Sequence, residues 1–264
     1  MYGKEMEVLN TTTKKMLADQ NVSKSVDDQK GERKHSTTLR FGCYDIVTET
    51  DDFVLMPNVS FVSYDRPWND WKNRLEGWRA TVGSDVSLVK LAGRAPQSVY
   101  MFAGALLTDQ YDVSLAFGDI SRKQLRRDES CPRSIKSSVE MFDASARITV
   151  IYLTFDNNHV FDAKTIAGIP VRNVYSGRLS DDPRFRYELT AQSFQTVVND
   201  VVLFMADALH SANADENCDQ IWIATSAHIS IAFVMGSQIR RHVLKKPVAI
   251  LDRVKGFYQV AMEV

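Results

Sequence analysis

Along the chain the apolar positions switch period several times, and each switch marks an element. The segments LRFGCYDIV, from Leu39, and FVLMPNVSFVSY, from Phe53, alternate with period two around a turn-like ETDD, which predicts a β-hairpin. In PWNDWKNRLEGW, Trp68, Trp71, Leu75 and Trp78 recur at helical spacing after a proline, so a helix packs its tryptophans on the first half of the chain or offers them for base stacking. A short apolar run, VSLVKLA (Val86 to Ala92), then leads through GRAPQS into a helix ending near Leu107 and a second run, DVSLAF. Much later QIWIATS leads through AHIS into a helix ending near Val243 and into KPVAIL. Both read strand, turn, helix, strand, the plan of a right-handed parallel crossover.

Between them ARITVIYLTF (Ala146 to Phe155) and GIPVRNVY (168–175) predict strands, the latter running into a loop, SGRLSDDPRFR. Thr190 to Ala212 forms a long helix with Phe194, Val197, Val201, Met205 and Leu209 on one broad face, and KGFYQVAMEV closes the chain as an edge or hairpin strand. Alternating β and α segments predict an α/β class: two Rossmann-like half-domains with mainly parallel sheets, plus an N-terminal hairpin and arm. The expected boundaries are a polar, mobile arm over 1–38, a first half over 39–145 and a second over 146–264.

The two crossover units are near twins. A shift of 132 positions sets Val89 on Ile221, Leu91 on Ile223, Ala92 on Ala224, Ala95 on Ala227, Ser98 on Ser230, Val99 on Ile231, Gly104 on Gly236 and Leu107 on Ile239. The small residues have a physical use: Gly104 and Gly236 let a helix lie close on its sheet, and Ser98 and Ser230 place hydroxyls in a first turn with free N–H groups.

Charge narrows the partners. With 32 basic and 33 acidic side chains the net charge is −1, which provides no sheath for long nucleic acid and leaves room for a small anion in a local basic pocket. Cys43, Cys131 and Cys218 are odd in number and form no CxxC pair, so a reducing cytoplasm is expected, without a zinc site. No segment reaches the roughly 18 uncharged residues of a membrane span.

In open parallel sheets ligands bind beyond the carboxyl ends of the strands, where loops enter helix N-termini. LAGRAPQS, YSGRLSDDP and ATSAHIS are such loops, and they contain glycine, hydroxyls and the arginines Arg94 and Arg178 that suit phosphate. None is a P-loop or GxGxxG fingerprint. His228 either stacks on a base, donates to a phosphate or simply starts a helix, and Lys90 ends its strand facing ligand or solvent. The basic run Arg240, Arg241, His242, Lys245 and Lys246 suits a helix C-terminus. GxSxG, HExxH and paired Cys-His motifs are absent, so no catalytic or metal residue is assigned.

IWIATSAHISIAFVMGSQI, with PVAILD and KGFYQVAMEV after it, resembles the C-terminal signature of SAVED domains; VYSGRLSDDP and VSLVKLAGRAPQSVYMFAGALL are similar to earlier parts of that family. The resemblance covers Trp78 to Val264. It implies two CARF-like halves that bind a cyclic di-, tri- or tetranucleotide between them, as in CBASS or CRISPR antiviral signalling. Lys90, Arg94, Gln97 and Ser98 on one side and Ser226, His228 and Ser230 on the other are then ligand-facing, with Ser176 and Arg178. It further implies head-to-tail self-association or a separately encoded effector, and no cofactor apart from the cyclic oligonucleotide as ligand. An enzyme cleaving nucleotides through His228 and Ser226, or an adaptor that binds no nucleotide, are the alternative readings.

Overall fold

The computed structural model describes residues 35–41, 53–55, 68–93, 95–126, 134–155, 161, 166, 169–179, 189–254 and 256–264. In chain order the elements begin with β1 (His35–Phe41), β2 (Phe53–Leu55), α1 (Trp68–Thr81), β3 (Val86–Gly93), α2 (Gln97–Leu107), β4 (Asp112–Leu115) and β5 (Gly118–Ile120). They continue with β6 (Lys136–Met141), β7 (Ile148–Leu153), β8 (Asn173–Arg178), α3 (Ala191–Ala214), β9 (Gln220–Thr225), α4 (Ile229–Ile239), β10 (Val248–Val254) and β11 (Phe257–Glu263).

The strands form two mainly parallel sheets, ordered β2-β1-β3-β4-β5 and β11-β10-β9-β7-β8-β6. Both predicted crossovers are present: β3 and β4 are parallel neighbours joined through α2, and β9 and β10 through α4. Among the described strands, antiparallel partners occur only at edges, where β5, β6 and β11 sit. The expected N-terminal hairpin is corrected by the pairing. β1 and β2 run parallel, Leu39 opposite Phe53, while the other side of β1 is held by β3, Leu39 opposite Leu91. Period-two alternation identifies two strands and is blind to their relative direction.

Three further differences come from pairing. β1 begins at His35, inside the segment expected as an arm, whose residues 1–34 lie outside the described ones. The second sheet includes β6, which precedes residue 146. Ser176 to Arg178 continue β8 instead of opening a loop, because β6 pairs with them through Lys136 opposite Arg178.

One continuous apolar core joins the halves. It takes Leu39, Phe41, Val89 and Leu91 from the first sheet, Ile151, Leu153, Ile221 and Ile223 from the second, and buried residues from each of the four described helices. Trp71 and Trp78 are buried in it and Trp68 packs at its margin, which fits the packing reading of the helix. The alternate residues Val150, Tyr152, Trp222 and Leu251 form a second cluster with Phe161 and Tyr258 on the opposite face of the second sheet. On the first sheet the opposite face carries the exposed Lys90 among the partly buried Leu88 and Ala92.

The twin helices α2 and α4 form the centre of the molecule, and their glycines explain why. A Cβ on Gly104 would overlap the carbonyl oxygen of Phe233, and one on Gly236 would overlap that of Met101. Residues 101 and 104 stand 132 positions before 233 and 236, so the contact is reciprocal, as across a twofold axis. The glycines therefore bring helix onto helix, where helix onto sheet was expected.

Candidate functional site

The reciprocal contact fixes where the two ligand-type loops go. At the N-terminal ends of the helices the Gln97 side-chain amide donates to the carbonyl of Ala227, and at the C-terminal ends Arg241 donates to the carbonyl of Thr108 at 3.2 Å. The helices thus run parallel and open toward the same side, beyond the carboxyl ends of β3 and β9.

On the first half, Gly93 ends β3 with φ 86, a conformation that favours glycine, and a Cβ there would strike the Phe41 carbonyl. The chain then enters α2 at Pro96, whose carbonyl receives the Val99 N–H at 3.1 Å; no side chain caps this helix. The N–H groups of Gln97 and Ser98, which precede the first intrahelical bonds, are left for another acceptor.

On the second half, the chain leaves β9 through a tight network. Thr225 Oγ1 donates to the Leu153 carbonyl at 2.8 Å and accepts the Ala227 N–H at 2.9 Å. Ser226 donates its hydroxyl to Thr154 Oγ1 at 2.7 Å, which ties the end of β9 to the end of β7. His228 caps α4, its Nδ1 accepting the Ser230 N–H at 3.1 Å. That bond fixes the neutral ring with its proton on Nε2. Desolvation lowers the imidazole's pKa below the ordinary histidine value.

An aromatic rim joins the network. β4 and β5 form a two-residue hairpin, and Phe117 at its tip meets the His228 ring edge to face with centroids 4.8 Å apart. Phe117 also contacts Phe194 in the first turn of α3, at 6.1 Å. That turn is held by a capping box between Thr190 and Ser193.

The geometry sorts the expected site residues. Gln97, Ser226 and His228 meet at the junction of the halves. Ser98 and Ser230 lie in the same first turns, with side chains buried inward instead of facing out. Arg178 ends β8 beside the junction, since the Thr154 N–H donates to the neighbouring Gly177 carbonyl at 3.0 Å. Ser176, opposite Tyr152, shares the strand face of Val174, away from the helices. Lys90 is exposed between the buried Val89 and Leu91, within β3 and three residues before its end. Arg94 lies outside the described residues.

The sequence matches no protein-family model and no curated protein. Solved structures do match. The Acinetobacter baumannii Cap4 SAVED/CARF-domain containing receptor with the cyclic trinucleotide 2′3′3′-cAAA aligns at a TM-score of 0.61 and 11% identity, over 87% of this chain and 51% of that one. With 3′3′3′-cAAA the same receptor gives 0.59 and 11%, over 87% and 52%. The Moraxella osloensis Cap4 receptor gives 0.54 and 12%, over 87% and 50%.

The fold is the SAVED/CARF fold. The chain spans about half the length of these receptors. Within this SAVED fold two junction residues had no prominent sequence signal. Phe117 sits in AFGD, where an aromatic before glycine gives a weaker hairpin cue than Asn-Gly. Thr154 ends an apolar strand run and becomes a site residue only because Ser226 reaches it across the sheet. Among the described residues no cluster of three or more His, Cys, Asp or Glu side chains could hold a metal, and no helix is long and apolar enough to cross a membrane.

Proposed function

We propose that the chain is a sensor that binds a cyclic oligonucleotide across the junction of its two halves. One observation carries this reading: the parallel, reciprocal packing of α2 and α4 brings the two helix starts to the same side, bridged by Gln97 and Ala227. Helix N-termini with oriented N–H groups suit phosphates, and Arg178 at the carboxyl end of β8 adds charge. The His228 and Phe117 rings offer surfaces for bases. A ring of phosphates with approximate symmetry matches a pseudo-twofold site better than a linear nucleotide does. The likeness in fold to receptors solved with cyclic trinucleotides supports the same class of ligand.

Signalling then follows through head-to-tail self-association or through a separately encoded effector, because a ligand shifts only equilibria whose states it binds unequally. Hydrolysis through Ser226 and His228 is less well supported. The serine hydroxyl is directed to Thr154, and the histidine nitrogen nearest the backbone caps α4, so neither serves the other as base and nucleophile.

Calorimetric titration with 2′3′3′-cAAA, 3′3′3′-cAAA and cyclic di- and tetranucleotides tests the proposal, with light scattering to read mass. We expect saturable binding of at least one ligand, weakened about tenfold or more in Gln97→Ala and Arg178→Glu with the fold retained. Absence of heat and of thermal stabilisation for every ring would overturn the sensor reading, and unchanged affinity in both variants would overturn the site.

A further inference from the structure

A cavity of about 160 Å³ lies between β6 and α3, at the edge of the second sheet. One stripe of α3 forms its wall, with Asp200, Leu203, Phe204, Asp207 and Ala208 at helical spacing, and Ile135 and Val139 come from the β6 side. The stripe is apolar between two carboxylates that stand two turns apart.

Asp200 is the anomaly. It is 3% exposed, its Oδ1 accepts the Ser134 N–H at 3.1 Å, and among the described residues its buried Oδ2 has no hydrogen-bond partner. Buried carboxylate oxygens are almost always satisfied, because removing them from water is costly unless charge or hydrogen bonds return the loss. Here the unsatisfied oxygen belongs to a residue that lines a cavity. A divalent metal does not fit, since it needs about six oxygen ligands and the walls are largely hydrocarbon. What fits is a single positive charge on an aliphatic stem, with the stem along Leu203, Phe204 and Val139.

We propose that this cavity binds an aliphatic ammonium ion, its charge seated on the buried Asp200 carboxylate and its stem running along α3 toward Asp207. Tyr175 supplies an aromatic wall, and burial keeps its hydroxyl protonated by raising its pKa. The chemistry is common to a free diamine and to a lysine side chain. β6 is exposed along its whole length, with Val139 and Met141 at 58% and 60%, so the opening is accessible to either source. The site stands apart from the nucleotide junction and does not depend on that reading.

Thermal unfolding and calorimetry of the full chain with butylammonium chloride test it, against sodium chloride and butanol as charge-only and stem-only controls. Butylammonium should raise the melting temperature in a saturable way beyond both controls, and Asp200→Asn should abolish that increment. If Asp200→Asn does not fold, Leu203→Trp, which fills the cavity, should weaken butylammonium at least tenfold. Tighter binding of putrescine than of N-acetyl-lysine methylamide would assign a free diamine that also reaches Asp207, and the reverse order a lysine side chain. Equal shifts by butylammonium and the controls, or a response unchanged by the substitutions, would overturn the site.

Discussion

The cap that His228 places on α4 sets a protonation requirement on its ring. As the cap of α4 it must be neutral, because Nδ1 accepts the Ser230 N–H. A proton on Nδ1 would set donor against donor and place positive charge at a helix N-terminus, which the helix dipole disfavours. Partial burial acts in the same direction and lowers the pKa. The folded chain therefore binds a proton less readily than the unfolded chain. Its contribution to stability is complete above the unfolded value of about 6.5 and is lost as pH falls through the lower folded value. An NMR titration of the His228 ring should give a midpoint below 6.5, and His228→Asn, which retains a capping oxygen, should remove this part of the pH dependence. A midpoint at or above 6.5 in the free protein would contradict the cap. A bound phosphate beside the ring should move the midpoint upward.

At the scale of elements the crossing of α2 and α4 is the decisive contact. Gly104→Ala and Gly236→Ala each drive a methyl group into a backbone carbonyl that cannot rotate away, so each should cost about 2–3 kcal/mol by overpacking. Gly77 in α1 is the control: a Cβ there meets nothing within 4 Å, so Gly77→Ala should stabilise by about 0.5–1 kcal/mol through helix propensity. Urea denaturation distinguishes these outcomes, and a neutral Gly104→Ala would show that the helices are further apart than described. The twin glycines were legible in the chain, and so were both crossovers and the long helix. The surface against which the glycines pack was not, because a small residue suits close approach to a sheet or to a helix equally well. β6 escaped for a related reason: KSSVEM is exposed throughout, and Val139 and Met141 are too few apolar positions to announce a strand. Ser176 to Arg178 reads as a turn, yet pairing with β6 keeps it extended, an interaction between strands separated by the whole of β7. Gln97, Ser226 and His228 could be found because they flank the repeated helix starts; Phe117 and Thr154 needed the tertiary fold.

At the scale of the molecule the two sheets share their larger apolar core. Residues from both line one core around α2 and α4, so removing either half would expose the buried face of the other. Two halves joined only by a linker would melt in two steps, each with its own stability. A shared core instead predicts one cooperative transition that coincides by far-UV circular dichroism and by tryptophan fluorescence, which Trp71 and Trp78 report from the first half and Trp222 from the second. A ligand across the junction contacts both halves, so it should move the entire transition without splitting it. At a concentration of 100 Kd the gain is about 2.7 kcal/mol, which for a chain of this size is roughly 5–10 °C. Gly236→Ala should lower the same single transition, although its substitution lies in one half. If calorimetry instead resolved two transitions and a cyclic trinucleotide moved only one, the junction would be a surface of one half-domain, and the reciprocal helix pair would be a device for folding with no part in recognition.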